Sequence, residues 1–281
     1  MTSSSLRSGM SCWIPWVHEV GIEMRILIIT EEDELYLPLS IDLLLAEWAT
    51  DVVEVVCARN PLVPGRWAAA RRFVKAFGVI PLFKHALRLA KIVVLDTCPP
   101  LNRTGRLFSI RRVCLKYGVP YVKCHDVNDP QFLQHCLGLS VDLIVSVSPT
   151  QIFKEQILCL PRHGCINIHS SKLPKYRGLY PVYWAMACGE HDVGVSVHYI
   201  EKGIDTGKVI LQDTIEIPEA STLDQMLTVA KIKGAHLLID AVRRIQNGTV
   251  QGDYAEGQGS YYSFPTAESY RQFKSYGYRL W

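Results

Sequence analysis

Short apolar runs, rich in β-branched side chains, recur along this chain with helix-like stretches between them. The first, Ile26–Ile29, is apolar at every position, as a strand covered on both faces must be. Leu37–Trp48 then places apolar residues at helical spacing, and Val52–Cys57 returns to strand character. Val93–Leu95, Tyr121–Lys123, Val141–Val147, Cys165–Ile168, Val193–Ile200 and Lys208–Gln212 continue the series, with a helix expected near Gly105–Tyr117. This alternation predicts an α/β fold built on a mostly parallel, twisted, Rossmann-like sheet. Segment 66–91 is both basic and apolar and reads as two helices broken near Gly78 and Pro81. Membrane or partner contact is one use for such a stretch, and a solvated helix face is the simpler one. Ser221–Gln246 reads as one long helix, opened by Ser221 and Thr222 with Asp224 in its first turn. The last thirty or so residues are rich in Gly and Tyr and show little periodicity.

Composition narrows the function. With 48% hydrophobic and 20% charged residues, the chain can bury a large core, which excludes a disordered protein. Lys plus Arg exceed Asp plus Glu by only three, too few for a surface that coats nucleic acid. No apolar run approaches the roughly 18–20 residues that cross a bilayer. The nine cysteines are odd in number and form no Cys-x-x-Cys pair, which suits reduced thiols in a core. These features predict a soluble, cytoplasmic protein with no membrane partner. Residues 1–23 lack the features of a secretory signal. They read as a disordered extension or an upstream start ahead of Met24, or as a segment that packs Trp13 and Trp16 onto the body. After the first strand comes EEDELYLP, with neither a G-x-G-x-x-G nor a P-loop, which argues against a dinucleotide or nucleoside-triphosphate site there.

The densest polar cluster is GCINIHSSKLPKYRGLYPVYWA, residues 164–185. Strand alternation puts Cys165, Asn167 and His169 on one face, at the carboxyl end where open α/β sheets bind ligands. A loop punctuated by Pro174, Gly178 and Pro181 follows, and Asp205 sits in the turn GIDTG. An amide, an imidazole and a carboxylate suit acyl transfer: Asn donates to an oxyanion, His moves a proton, and Asp orients the His. Spacing alone does not bring the three together, and a strand-end Asn and His also serve as ordinary satisfied loop residues. His163, Cys165 and His169 resemble a metal cluster but lack further ligands, so no metal is expected. Ser170 and Ser171 lack a G-x-S-x-G elbow.

Residues 164–211 resemble the signature region of the 10-formyltetrahydrofolate-dependent formyltransferases. The matching pieces are Asn167-Ile168-His169, Ser171-Lys172-Leu173-Pro174, the stretch Tyr176-Arg177-Gly178-Leu179-Tyr180-Pro181, and Gly203-Ile204-Asp205-Thr206-Gly207. The resemblance implies a Rossmann-like formyltransferase domain over 24–215, followed by a short helical and aromatic extension over 216–281. It implies catalytic roles for Asn167, protonated His169 and Asp205. It further implies a 10-formyltetrahydrofolate pocket formed by Ser148, Gln151, Ile152, Phe153 and Leu173 with Gly203 and Ile204 opposite, no metal, and an acceptor contacted by Arg177 and Tyr180. For Ile152 and Phe153, core packing at a helix start is the alternative.

Lys172 departs from the family's leucine in the Ser-Leu-Leu-Pro loop, which bears on that loop's packing. The aromatic tail reads as too short for the basic β-barrel of the transfer-RNA enzymes. The expected reaction is therefore formyl transfer to a small primary amine, most simply a nucleotide-linked amino sugar. Methionyl-tRNA formylation, hydrolysis of formyltetrahydrofolate and non-catalytic folate binding are the alternatives, with tRNA disfavoured as a partner and a homodimer left open.

Overall fold

A computed structural model describes residues 24–61, 65–98, 102 and 104–281; the expectation for residues 1–23 lies outside them. Six strands take the positions that the apolar runs mark: β1 (Ile26–Glu31), β2 (Val52–Ala58), β3 (Tyr121–Cys124), β4 (Leu143–Val147), β5 (Cys165–His169) and, beyond a short β6 (Arg177–Gly178), β7 (Asp192–Tyr199). The run Lys208–Gln212 marks a seventh, β8 (Val209–Glu216), and together they form one seven-stranded sheet in the order β3-β2-β1-β4-β5-β7-β8. The first five are mutually parallel. Strand β7 runs antiparallel to both β5 and β8. The winding reverses between β1 and β4, and that switch point opens a crevice beyond their carboxyl ends.

Side-chain alternation divides the core. Ile26 and Ile28 of β1 pack into one cluster with Leu143, Val145 and Ile166. Leu27 and Ile29 pack into the other with Ile144 and Cys165. Helices α1 (Leu37–Trp48) and α8 (Leu223–Gln246) cover the first face, α1 through Ile41, Leu44 and Leu45 and α8 through Leu238, Ala241 and Val242, all fully buried. Helix α8 begins in a capping box between Thr222 and Gln225, one residue beyond the Ser221 start that the sequence suggests.

Helices α2 (Arg66–Phe77) and α3 (Val79–Thr97) break at Gly78 (φ 93°), as expected. The strand expected at Val93–Leu95 is instead the last turns of α3. None of the three is buried, and Ile92 alone of α3 is, so no sheet edge favours an extended conformation, and continuing an existing helix costs less than starting a strand. Between them and β3 lies α4 (Ile110–Tyr117), and α5 (Pro130–Gly138) and α6 (Glu155–Leu158) flank β4.

The tail is more ordered than its composition suggests. β9 (Tyr261–Tyr262) pairs in parallel with β6, and α9 (Ala267–Ser275) opens with its own capping box at Thr266. Tyr183 of α7 (Pro181–Ala187) donates or accepts a 2.9 Å bond with Ser269 Oγ and stacks on Phe273. The eight described cysteines are unpaired, with Cys57, Cys114, Cys136 and Cys165 buried.

Candidate active site

β5 is an interior strand between β4 and β7, so Asn167 and His169 leave one face together with a fixed separation. The antiparallel register sets His198 opposite Asn167 and Ser196 opposite His169. All four side chains therefore share a face, and all four are buried. Asp205 reaches the same place from the turn after β7, in a left-handed conformation (φ 51°) that Asp tolerates better than most residues. The turn is held tight because a Cβ on Gly207 would lie 1.9 Å from the carbonyl oxygen of Tyr199.

The carboxylate of Asp205 is the hub. Its Oδ2 accepts from the backbone N–H of Gly178 at 2.8 Å and lies 3.7 Å from His169 Nδ1. Its Oδ1 lies 3.6 Å from His198 Nε2. Burial pushes this carboxyl's pKa up, but His169, His198 and the Gly178 amide outweigh it and hold the group down at about 2. Asp205 is thus an anion at any physiological pH.

The two imidazoles have distinct tautomers. His169 Nε2 lies 2.9 Å from the carbonyl oxygen of Tyr176, which can only accept, so Nε2 carries a proton. The neutral ring then presents a bare Nδ1 lone pair toward Asp205. Burial lowers the pKa of His169; Asp205 and the Tyr176 carbonyl oppose that, and His198 and Lys231 reinforce it. The resting ring is therefore the neutral one, where the family resemblance implies a protonated one. His198 Nδ1 donates to Tyr199 O at 2.7 Å, which leaves Nε2 to face the Asn167 amide at 3.2 Å.

Asn167 Oδ1 is buried without a partner. With His198 Nδ1 donating, Nε2 accepts from the Asn167 NH₂, which leaves the amide oxygen as the open polar group of this corner.

Ser196 anchors the loop that follows β5. Its Oγ donates to Ser171 O at 2.6 Å, accepts from Leu173 N at 3.3 Å and accepts from Gln212 Nε2 at 2.8 Å. Lys172 points to solvent while Leu173 is buried, so the departure at 172 falls on the loop's outer side. Leu173, Pro174, Arg177, Asp205, Thr206, Gly207, Tyr254 and Ala255 line a cleft beside Asp205. Arg177 Nε is buried there without a partner. His198 and Ser196 carry no prediction from the sequence. Their signal was a polar residue at alternate positions of an otherwise apolar strand, VGVSVHY.

The other expected site residues lie around the switch point. Ser148, in a left-handed conformation (φ 57°) at the end of β4, accepts from Lys231 Nζ of α8. Gln151 ties the neighbouring loops: its Nε2 donates to Arg59 O and His125 O, and its Oε1 accepts from Val127 N. Ile152 is exposed, whereas Phe153 is buried in the second core cluster. Phe153 thus occupies the packing position that was the alternative for it, because the chain dives into the core there ahead of α6. Gly203 and Ile204 are exposed at the tip of the Asp205 turn. Tyr180 lies edge-on to Phe264. Among the described residues, no group of three or more His, Cys, Asp or Glu is placed to hold a metal ion.

Residues 91–242 match the family described as Formyl transferase. A methionyl-tRNA formyltransferase of Thermodesulfovibrio yellowstonii is 32% identical over 187 residues, 65% of this chain and 61% of that protein. The chain thus spans about three-fifths of that curated relative. A sugar N-formyltransferase from Shewanella sp. FDAARGOS_354 superposes with a TM-score of 0.56 at 16% identity, over 90% of this chain and 87% of that one. An N-formyltransferase from Helicobacter canadensis, solved with folinic acid and dTDP-3-aminofucose, gives 0.55 at 19% identity over 85% and 70%. At those identities the two structures establish a shared fold. The family match covers more than half the chain and spans both the Asn167–His169 strand and the Asp205 turn, so the chain belongs to the formyl transferase family.

Proposed function

We propose that this protein transfers a formyl group from 10-formyltetrahydrofolate to the primary amine of a small acceptor. The observation that carries the proposal is the convergence of Asn167, His169 and Asp205 on one face, joined through His198. Attack of the amine on the formyl carbon forms a C–N bond and an oxyanion. The NH₂ of Asn167, one N–H of which bonds His198 Nε2, donates its other N–H to that oxygen. The Nδ1 lone pair of His169 takes the proton the amine must shed, and Asp205 stabilises the imidazolium. The same proton then passes to N10 as the formyl–N10 bond breaks, leaving tetrahydrofolate and the formamide. No net proton is gained or lost. Residues 24–215 carry this machinery, and 216–281 close it from outside, with α8 supplying Lys231 and β9 holding the loop of Arg177.

A nucleotide-linked amino sugar is the acceptor class we favour. Two features support it: the unpartnered Nε of Arg177 beside the cleft, suited to a phosphate oxygen, and the fold shared with sugar N-formyltransferases. Ser148, Gln151, Ile152, Leu173, Gly203 and Ile204 remain our assignment for the folate, and Tyr180 with Arg177 for the acceptor. The second reading, methionyl-tRNA as acceptor, rests on the names of the sequence relatives. Incubation with 10-formyltetrahydrofolate and a panel of amines tests both. Tetrahydrofolate release that depends on an amino sugar nucleotide supports the first reading, and release that depends on methionyl-tRNA supports the second. Release without any amine identifies a hydrolase, and no release under any condition removes the transferase reading.

A further inference from the structure

Helix α3 is amphipathic the wrong way round for a helix on a globular surface, whereas its neighbour α2 turns Ala76 and Phe77 into the core and exposes Trp67 near its start. α3 buries Ile92, while Val79, Ile80, Phe83, Leu87 and Val94 face outward, with Phe83 63% and Leu87 55% exposed. Residues 83, 87, 90 and 94 follow one another at helical spacing, so Phe83, Leu87, Ala90 and Val94 form one exposed row. Trp67 of α2 is 90% exposed. At about 1.5 Å per residue, the row runs along a helix roughly 28 Å long. An apolar face of this extent on a folded surface marks an interaction site.

The charge around it indicates what docks there. Residues 66–95 contain seven Lys or Arg and no Asp or Glu. With a whole-chain net charge of +3, the remaining residues are net negative at −4, that is 3 − 7. Arg71, Lys75, Lys84 and Lys91 are exposed. Lys84 and Lys91 lie two turns apart and border the apolar row along one edge. A second copy of the chain is a poor occupant: a two-fold axis would set these lysines against their own copies, with no carboxylate in the segment to pair with them. An anionic surface with an apolar interior satisfies both halves of the pattern. We propose that α2 and α3 form a docking surface for an anionic phospholipid bilayer, with the Phe83–Leu87–Val94 row and Trp67 sunk among the acyl chains and the lysines at the headgroups. Such a helix pair lies in the interface without crossing it. This is consistent with the absence of any described helix long and apolar enough to span a membrane. It revises the expectation of a solvated face and of no membrane partner, and the reversal comes from the burial of Ile92, which turns the apolar row outward. The net negative remainder of the chain is repelled by the same surface, so the protein binds in one orientation.

The test is co-sedimentation of the full chain with vesicles of equal parts phosphatidylglycerol and phosphatidylcholine, against vesicles of phosphatidylcholine alone. The full chain sediments with the anionic vesicles, less so as salt rises. Lys84→Gln and Lys91→Gln each weaken binding about fivefold. The double substitution Phe83→Glu/Leu87→Glu reduces it more than tenfold, with circular dichroism unchanged because both sites are exposed. Trp67→Phe removes a blue shift in fluorescence that anionic vesicles induce. Lack of sedimentation at low ionic strength overturns the proposal, as does binding unaffected by the double substitution. A dimer in analytical ultracentrifugation that the double substitution splits would overturn it in favour of a second copy. Vesicle binding seen only when the chain starts at Met24 would overturn it in favour of residues 1–23 as the occupant.

Discussion

Glu31 ends β1 at the switch point, with its carboxylate largely removed from water. It accepts from Asn60 Nδ2 at 2.8 Å. Burial first, and the neighbouring Asp33 second, push its pKa from 4.5 up to about 7, against the opposing pull of Lys231 and the side-chain hydrogen bonds. A carboxyl that is harder to ionise in the folded state than in the unfolded one stabilises the fold most below its unfolded pKa, near 4.5. That contribution is lost progressively as pH rises toward 7. At roughly 1.4 kcal/mol per pH unit, the span from 4.5 to about 7 amounts to about 3 kcal/mol. Glu31→Gln keeps the shape and an oxygen for Asn60 but cannot ionise. Relative to the wild type, the variant should be close to neutral at pH 4.5 and more stable by about 2–3 kcal/mol at pH 8. Urea denaturation at both pH values, taken as a double difference, reads this directly. A gain of that size also raises the melting temperature by several degrees, at roughly 2–4 °C per kcal/mol. Parallel stability-versus-pH curves for the two proteins would refute the reasoning. So would a variant less stable than wild type at pH 8, because the carboxylate would then be a net stabiliser of Lys231.

Three further outcomes follow from the site. Asn167→Ala should lower kcat by about 10²–10³, the usual loss for one oxyanion donor, while folate binding measured by fluorescence quenching is retained; a change confined to KM would argue against that role. Because Asp205 is held at about 2, its contribution to stability is present above the ordinary carboxylate value near 3.8 and is lost as pH falls through about 2. Acid unfolding between pH 4 and 2 should therefore be shallower in Asp205→Asn than in wild type, as followed by circular dichroism. Gly207→Ala would place a methyl group 1.9 Å from a backbone oxygen of Tyr199, so it should cost more than about 3 kcal/mol or displace the Asp205 turn, with melting temperature and activity both falling; a stable, active variant would show that the turn is loose.

Most of the sheet could be read from residues alone, because a strand buried on both faces leaves an uninterrupted β-branched run that has few other uses. The exception, Val93–Leu95, shows the limit: Val-Val-Leu is as apolar in α3 as in a strand, and only the preceding helix decides between them. The trio of Asn167, His169 and Asp205 is legible through a family pattern, and Asn167 with His169 also through strand parity. Asp205 was not placed by spacing, since a turn 38 residues downstream reaches the strand end only because β7 runs back antiparallel beside β5. The same reversal hid His198, whose role exists only across the β5–β7 register. The Gly- and Tyr-rich tail hid its order for a different reason. Its aromatic rings pack against α7 and β6, which lie far away in sequence, so no local periodicity records them.

The two directions of the sheet divide the work. Parallel register pairs Thr30 with Val147 and Val147 with Ile168, so the next residues, Glu31, Ser148 and His169, form a row across three carboxyl ends. At about 4.8 Å per strand, the row is roughly 10 Å from end to end. Lys231 descends on its middle, bonded to Ser148, and acts on both ends: its charge opposes the rise in Glu31 and adds to the lowering in His169. Parallel strands alone would give this crevice and a neutral His169, but no second imidazole and no carboxylate beside it. The antiparallel β7 supplies both, and only on the His169 side of the row. The second imidazole and the paired carboxylate therefore stand only at the Asp205 end, while the Glu31 end offers charge and hydrogen bonds without an imidazole beside it.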